Sequence, residues 1–290
     1  MAYPVNPAGQ LQEFPVENTQ PAQGSALTGQ VLFYSNPQPL SSEQHGGLGL
    51  KQIEKPFAFL GKAHAVPLTV NEFGLASTSY PIIFVGNEKT PIGAMGIRQD
   101  ENLFVTADGN VDSDFYIPAF ARRYPFVFAN DQSQERLLLC VDRDAPMVSN
   151  QPDVPFFENG QPTEYTNNAM QFCQEFERQR RATTEFVKRL DQLGLFTQKS
   201  ANFQPRDAQG NPSGEQQRVA EYWAIDEEKL NALPDDQLGQ LHREGILGAC
   251  YAHVISLLNW SRVVNRAMRQ QSPQTPPQPQ GGSEGPNLQI

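Results

Sequence analysis

Two aspartates and one histidine are the residues of this sequence whose types and spacing best suit catalysis. Asp142 and Asp144 follow a predicted strand, and alternate residues of an extended chain point to the same face. Neighbouring carboxylates repel each other, which raises the pKa of one and suits acid–base chemistry or cation binding. If His253 joined them in one cleft with Tyr80 or Tyr124, the set would indicate an enzyme of unrecognised type. Turn and helix-cap roles are the simpler interpretation of both aspartates.

The other reactive side chains match no complete metal, nucleophile or cofactor motif. His253 precedes Ser256 by three residues and could be a base beside a nucleophile, but buried bonds to the backbone are favoured. Cys250 and His253 could supply half of a metal site, yet no second Cys/His pair has complementary spacing. Residues 108–114 lack the glycine and the glutamate of a calcium loop. Residues 46–49 lack the spacing of a phosphate-binding loop, so neither metal nor cofactor is predicted.

Aromatic rings are abundant enough to form a recognition groove as well as a core. The chain has 18 Phe, 8 Tyr and 2 Trp, most of which are expected to be buried. Four rings are candidates for a small-ligand site: Tyr80, Tyr124, Tyr222 and Trp223. Phe156 and Phe157 also flank predicted loops and could extend such a groove.

The charge balance argues against a nucleic-acid-binding protein. The chain has 32 acidic and 22 basic residues, for a formal net charge of −10. Its densest basic stretch, residues 178–181, directly follows Glu175 and Glu177. Phosphate neutralisation requires clustered Lys and Arg, which this sequence lacks.

Several features predict a cytoplasmic location. Lys51 is the first basic residue and no long apolar run precedes it, so no secretory signal is predicted. Three widely spaced cysteines, an odd number, are expected to be buried thiols in a reducing compartment: Cys140, Cys173 and Cys250. The 17 uncharged residues between Glu244 and Arg262 include His, Ser and Asn, so they predict a buried core helix rather than a membrane span.

Composition divides the chain into one domain and two tails. Residues 1–28 and 270–290 have few large apolar side chains and are predicted to be disordered. Residues 29–269 are then a single domain. Within it, residues 199–218 are polar and rich in Gly and Pro, which predicts a mobile loop.

An internal repeat organises the first half of this domain. Tyr80-Pro81 and Tyr124-Pro125 lie 44 residues apart, and each opens a pattern of strand, polar turn and strand. The predicted strands cover residues 82–85, 92–97, 126–129 and 136–141, and short helices precede them at residues 71–79 and 118–123. This predicts two related helix-plus-hairpin units side by side in one sheet, with chance recurrence as the alternative.

The remaining pattern predicts an α+β fold, in which a mainly antiparallel sheet containing the two units packs against C-terminal helices. Further strands are expected within residues 57–68, 102–107 and 219–225. A helix of about 25 to 30 residues should follow Pro162 and end at Gly194. Asp226 should cap the first of the last helices, and Gly245 should precede an apolar helix that ends near Met268.

Several runs of residues occur in the order typical of one bacterial family. They are HAVPL at 64–68, PAFARRYP at 118–125, DRDAP at 142–146, DEEKL at 226–230 and YAH at 251–253. On these runs the chain resembles the SapC family over about residues 30–265. This is the soluble family named for a surface-layer-associated protein, and it is distinct from the similarly named peptide-transporter permease.

The resemblance implies a Gram-negative bacterial protein, and the family offers no established catalytic residues to carry over. It also implies an uptake or modification setting, beside TonB-dependent receptors and flavin-dependent halogenases. The leading expectation is a soluble, non-enzymatic accessory protein with a protein partner. Two alternatives remain open: an enzyme that uses Asp142, Asp144 and His253, and a small-ligand binding module with an aromatic pocket.

Overall fold

The computed structural model describes residues 31–131, 136–204 and 214–271. The predicted tail 1–28 and residues 272–290 of the other tail lie outside these residues, whereas residues 270–271 complete the last helix. The loop prediction for residues 199–218 is wrong at both ends, because residues 199–203 and 217–218 belong to two paired strands. The polar residues Lys199, Ser200 and Asn202 are exposed on β12 (Phe196–Phe203), an edge strand of its sheet. Residues 205–213 of that loop lie outside the described residues.

The described residues form short strands, short helices and one long helix. The strands are β1 (Pro37–Pro39), β2 (Gly49–Leu50), β3 (Ala65–Pro67), β4 (Ile82–Val85), β5 (Thr90–Ala94), β6 (Phe126–Asp131), β7 (Arg136–Asp142), β8 (Val148–Ser149), β9 (Val154–Pro155), β10 (Phe157–Glu158), β11 (Gln161–Pro162), β12 (Phe196–Phe203) and β13 (Gln217–Ile225). The α-helices are α1 (Ser42–His45), α2 (Phe73–Ala76), α3 (Ala119–Arg122), α4 (Glu164–Gln192), α5 (Glu227–Asn231), α6 (Asp235–Arg243), α7 (Ile246–Ser256) and α8 (Trp260–Gln271). Turns of 3₁₀ helix lie at Ala58–Leu60, Val70–Glu72 and Leu257–Asn259.

Antiparallel pairing joins the strands into two main sheets. One has five strands in the order β12-β13-β4-β5-β3, and the other has three in the order β1-β7-β6. Three short strands in the order β8-β2-β9 and the pair β10-β11 form two smaller sheets. With helices before, between and after these sheets, the predicted α+β class is confirmed.

Both predicted helix-plus-hairpin units form, but they lie in different sheets. Helix α2 precedes the β4–β5 hairpin, and α3 precedes the β6–β7 hairpin. The expectation of one shared sheet is wrong, because strands from distant parts of the chain occupy the outer edges of these hairpins. β13 pairs with β4 through Trp223 and Phe84, and β1 pairs along β7. The first predicted helix is also shorter, since residues 70–72 form a 3₁₀ turn before α2.

The strand predicted at residues 102–107 is absent from the described residues, where only an isolated bridge joins Val105 and Val111. Leu103 and Phe104 are nevertheless buried. Their apolar character reflects a loop packed beneath α8, whose Arg266 guanidinium lies 4.5 Å from the centroid of the Phe104 ring. The Asn102 side chain accepts a hydrogen bond from the Phe104 N–H, which replaces a strand partner.

Helix α4 confirms the long helix that the sequence predicts. Thr163 caps its first turn by accepting a hydrogen bond from the Thr166 N–H, and the chain leaves the helix at Gly194, where φ is +67°. The helix has 29 residues. Its buried side chains form a stripe along one side of the helix: Thr166, Cys173, Phe176, Thr183, Phe186, Val187 and Leu190.

The C-terminal helices begin where the sequence predicts. Asp226 accepts hydrogen bonds from two N–H groups of α5, and Gly245, at a φ of +74°, separates α6 from α7. The apolar segment is not one helix, because a 3₁₀ turn at Leu257–Asn259 divides α7 from α8. The largest core cluster joins the five-stranded sheet to α4 and these helices, and includes Val66, Phe73, Tyr80, Phe84, Leu190 and Cys250.

Candidate functional site

Asp142 is an internal anchor at the end of β7. Its carboxylate is fully buried and accepts hydrogen bonds from the backbone N–H groups of Ser35, at 3.1 Å, and Asn36, at 2.8 Å. The Tyr124 hydroxyl, 3.3 Å away, donates to the same carboxylate. These bonds hold the segment before β1 against the three-stranded sheet. The oxygens of the buried Asp142 carboxylate therefore find their hydrogen-bond donors within the fold.

Asp144 does not share the environment of Asp142. Strand β7 ends at Asp142, so strand alternation does not extend to Asp144, which lies exposed in the following turn. The expectation that both carboxylates point to one face is therefore wrong. His253 packs on the five-stranded sheet and shares no hydrogen-bond partner with Asp142. Of the proposed catalytic set, a hydrogen bond joins only Asp142 and Tyr124, and Asp144 is close enough to Tyr124 to act on it electrostatically.

Tyr124 belongs to a half-buried aromatic cluster. Its ring stacks on Phe59 with centroids 4.4 Å apart, and it meets Tyr34 edge-on at 5.3 Å. Burial raises the pKa of the Tyr124 hydroxyl well above its usual value, and the neighbouring Asp142 carboxylate raises it further. The hydroxyl therefore stays protonated and acts as a hydrogen-bond donor.

His253 and Ser256 connect α7 to two neighbouring strands. The Ile225 N–H of β13 donates to His253 Nε2 at 3.1 Å, and the Ile82 N–H of β4 donates to Ser256 Oγ at 2.9 Å. Ser256 Oγ donates in turn to the His253 carbonyl at 2.6 Å. These strands share one register pair, so the two side chains satisfy backbone groups that the short ladder leaves open.

The buried His253 ring is neutral at physiological pH. Burial lowers the pKa of His253 to about 3, and the ring lies 5.1 Å from that of Phe84 between centroids. A general base works best with a pKa near the operating pH, which His253 lacks. The local contacts make His253 a structural acceptor.

Tyr80 fills the core of the five-stranded sheet. Its ring is fully buried and its hydroxyl donates to the Tyr116 carbonyl at 3.2 Å. Gly93 lies directly against the ring, because a Cβ there would stand 2.3 Å from a Tyr80 carbon. Burial also raises the pKa of Tyr80 well above its usual value. The ring offers no open surface to a ligand.

Tyr222 and Trp223 lie on opposite faces of β13, because neighbouring strand residues alternate. Tyr222 is buried, and its hydroxyl accepts a hydrogen bond from Trp260 Nε1 at 3.2 Å. Trp223 is half-buried beneath Lys89, whose Nζ lies 5.1 Å from the ring centroid and 2.9 Å from an Asp191 carboxylate oxygen. The two rings therefore do not line one groove.

Two of the three acidic residues of the loop 108–114 are paired with arginines, and the third, Asp108, accepts hydrogen bonds from Thr106 and Asn110. Arg266 contacts the Asp112 carboxylate, and Arg262 contacts the Asp114 carboxylate at 2.6 Å. Both arginines extend from α8, so these acids dock that helix on the loop. Across the described ranges, no three His, Cys, Asp or Glu side chains are grouped so that they could hold a metal ion.

Helix α7 has one buried face and one exposed apolar face. Cys250, His253 and Ser256 point into the fold. The other face exposes large apolar side chains together with one from the contacting helix α2, and these four residues are called the α7 surface: Leu75 (63% exposed), Tyr251 (37%), Ile255 (58%) and Leu258 (76%). The spacing of four and three residues places the three α7-side residues on one helical face.

The α7 surface is the functional candidate that sequence reasoning missed. Its signal is the same uncharged run of 17 residues that predicts a core helix. A helix that is apolar on all sides gives no indication of which face the fold buries. Among the helices of the described residues, none combines the length and apolar character needed to cross a bilayer.

The fold and its contacts define an α+β protein. In it, Asp142 and His253 form hydrogen bonds inside the fold, and the outer face of α7 exposes apolar side chains. A protein-family model described as SapC matches residues 40–263. The chain therefore belongs to the SapC family. No curated protein and no solved structure matches the chain.

Proposed function

We propose that the chain is a non-enzymatic accessory protein that works through protein contacts. The α7 surface is the observation that carries this proposal, because contiguous exposed apolar side chains are typical of interaction sites. The setting proposed for these contacts is surface-layer or TonB-linked outer-membrane uptake in Gram-negative bacteria, with the protein in the cytoplasm. Three buried free thiols, Cys140, Cys173 and Cys250, support a reducing compartment.

The environments of Asp142 and His253 support a non-enzymatic role. The carboxylate accepts several internal hydrogen bonds, and the imidazole accepts one from a strand. The Asp142 carboxylate could bind a substrate only by breaking bonds that hold the fold, and the second ring nitrogen of His253, Nδ1, is buried away from solvent.

A matched pair of variants tests the proposal in cells. Ile255→Glu places a charge on the α7 surface, and Gln174→Glu places the same charge on an exposed position of α4. We expect Ile255→Glu to behave like a gene deletion in surface-protein composition and nutrient uptake, and Gln174→Glu to complement the deletion. Native size-exclusion chromatography of lysates should show the wild-type protein, but not Ile255→Glu, in an assembly larger than 32.3 kDa.

Full complementation by a folded Ile255→Glu variant, with no change in its elution, would contradict the proposal. Circular dichroism melting should be similar for both variants, because both substitutions are at exposed positions.

A small-ligand module is the second candidate, supported by the half-buried rings of Tyr124 and Trp223. Thermal-shift measurements with sugars, amino acids and halogenated indoles test it. A concentration-dependent rise in melting temperature that Trp223→Leu or Tyr124→Leu removes would favour this function over the protein-contact proposal.

A further inference from the structure

The outer face of α7 lacks a partner within the described part of the chain. Leu258 and Ile255 expose 76% and 58% of their surfaces, although the run of residues 245–261 is uncharged and mostly apolar. Helices of this composition are normally covered on all sides. Among residues 31–131, 136–204 and 214–271, this face is therefore uncovered.

Two exposed glycines border the α7 surface. Gly248 lies inside α7 and Gly74 inside α2, and a Cβ at either position would meet no atom within 4 Å. Glycine in a helix interior is destabilising relative to alanine. No contact within the described ranges requires these glycines, whereas an absent side chain permits close approach of another backbone.

We propose that the α7 surface packs against the α7 surface of a second copy of this chain, related by two-fold symmetry. The inference deepens the proposed function, on which it rests, by naming the partner of that site. In such a contact the same patch faces itself, so any charge near its centre meets a like charge. A chain of net charge −10 avoids that repulsion across residues 245–261, which contain no Asp, Glu, Lys or Arg.

The size of the face predicts a weak, reversible pair. At the observed exposures, the four side chains present a few hundred Å², roughly half of the ~800 Å² per partner of a standard interface. The half-buried Leu247 lies one helical turn before Tyr251 and extends the contact area. A pair of this size dissociates on dilution and should strengthen with added salt, because salt screens the repulsion between two acidic chains.

Sedimentation velocity of the purified full-length chain tests the proposal. From about 1 to about 200 µM, the weight-average mass should rise from 32.3 kDa towards twice that value. Ile255→Glu should remain monomeric throughout, because each copy would place a carboxylate against its counterpart. The control Gln174→Glu adds the same charge outside the surface and should associate like the wild type.

The Gly248→Ala variant distinguishes close packing of two α7 helices from nonspecific association of their apolar side chains. The added methyl group improves helix propensity, so the urea midpoint of the monomer should rise. The same methyl group holds the two helices apart, so the dimer dissociation constant should increase by about tenfold or more. Unchanged or tighter association of Gly248→Ala would contradict close helix packing at this site.

The outcomes separate this inference from the proposed function. A wild-type chain that is monomeric at every concentration overturns the second-copy inference. If Ile255→Glu still fails to complement the deletion, the proposed function stands with another partner. If a monomeric wild-type chain instead co-sediments with phosphatidylcholine vesicles and Ile255→Glu does not, the face is a lipid contact and the inference is also overturned. If Ile255→Glu complements fully and no dimer forms, both proposals fail.

Discussion

At the residue scale, three buried polar side chains of the candidate set accept hydrogen bonds from backbone groups. Asp142, His253 and Ser256 each bond to N–H groups of another part of the chain. Removing one partner of such a bond leaves a buried group unsatisfied, which costs about 1–3 kcal/mol. Mutations at these residues should therefore act on stability.

The two aspartates provide a direct comparison. The Ser35 and Asn36 N–H groups donate to different oxygens of Asp142, so Asp142→Asn places an NH₂ donor against one of these two N–H groups. We expect a loss of about 2–3 kcal/mol in the free energy of unfolding, measured by urea titration. Asp144→Asn, in an exposed turn, should change it by less than about 0.5 kcal/mol. Equal effects of the two changes on stability would contradict this assignment.

His253 should make stability depend on pH. Its folded-state pKa of about 3 lies below the ordinary value of 6.5, so only the unfolded chain binds a proton between these values. The contribution of the neutral His253 ring to the free energy of unfolding is fully present above pH 6.5 and is lost as the pH falls towards 3. From about pH 8 to about pH 5 the loss from this group is about 2 kcal/mol.

His253→Gln keeps a hydrogen-bond acceptor but removes the titration. The fall in the free energy of unfolding between about pH 8 and about pH 5 should be about 2 kcal/mol smaller than in the wild type, by urea titration. His242→Gln, at an exposed position of α6, is the control and should retain the wild-type slope. A His253→Gln variant with an unchanged slope would refute the role of this imidazole.

At the element scale, α7 replaces part of a strand ladder. β13 and β4 share one register pair. His253 of α7 accepts a hydrogen bond from β13, and Ser256 of the same helix accepts one from β4. The helix therefore contributes to sheet integrity as well as to the core. The polar contacts that attach α7 to these two strands are the hydrogen bonds of His253 and Ser256.

Ser256→Ala tests this attachment. It leaves the buried Ile82 N–H without its acceptor, so the free energy of unfolding should fall by about 1–3 kcal/mol. Ser261→Ala, which alters an exposed hydroxyl on α8, should have little effect. Comparable urea midpoints for the two variants would mean that Ile82 finds another acceptor.

The elements differ in how far the sequence predicts them. Helix α4 is predicted almost to its ends, because Pro162, Thr163 and Gly194 provide local start and stop signals. The separation of the two hairpins is not predictable in this way. The pairing of β1 with β7 joins residues about 100 positions apart, and no local pattern specifies it.

The candidate site was less predictable than the fold. Asp142 and Tyr124 were selected by residue type, but their contact carries a structural bond. The exposure of Ile255 and Leu258 depends on which helical face packs inward, and an apolar helix does not encode that choice. Sequence reasoning therefore identified α7 but assigned both of its faces to the core.

At the whole-molecule scale, all three cysteines are free and buried. Burial raises the pKa of Cys140 to about 11 and those of Cys173 and Cys250 to about 12. Thiolate is the reactive form, so the folded protein should resist thiol reagents.

A disulfide reagent measures this directly. At neutral pH the native chain should release almost no chromophore, and the chain in concentrated guanidinium chloride should show all three thiols. Rapid labelling of one thiol in the native protein would identify local opening around that cysteine.

The pairing at β1 also shows that the residues matched by the family model are fewer than the residues that the fold requires. The family match spans residues 40–263. Tyr34 and β1 lie before it, yet they bond to Phe126 and to the edge of β7, and α8 continues to Gln271. A recombinant fragment trimmed to the conserved region would uncover a strand edge and a buried carboxylate. The smallest autonomous folding unit therefore extends beyond the region that evolution makes recognisable.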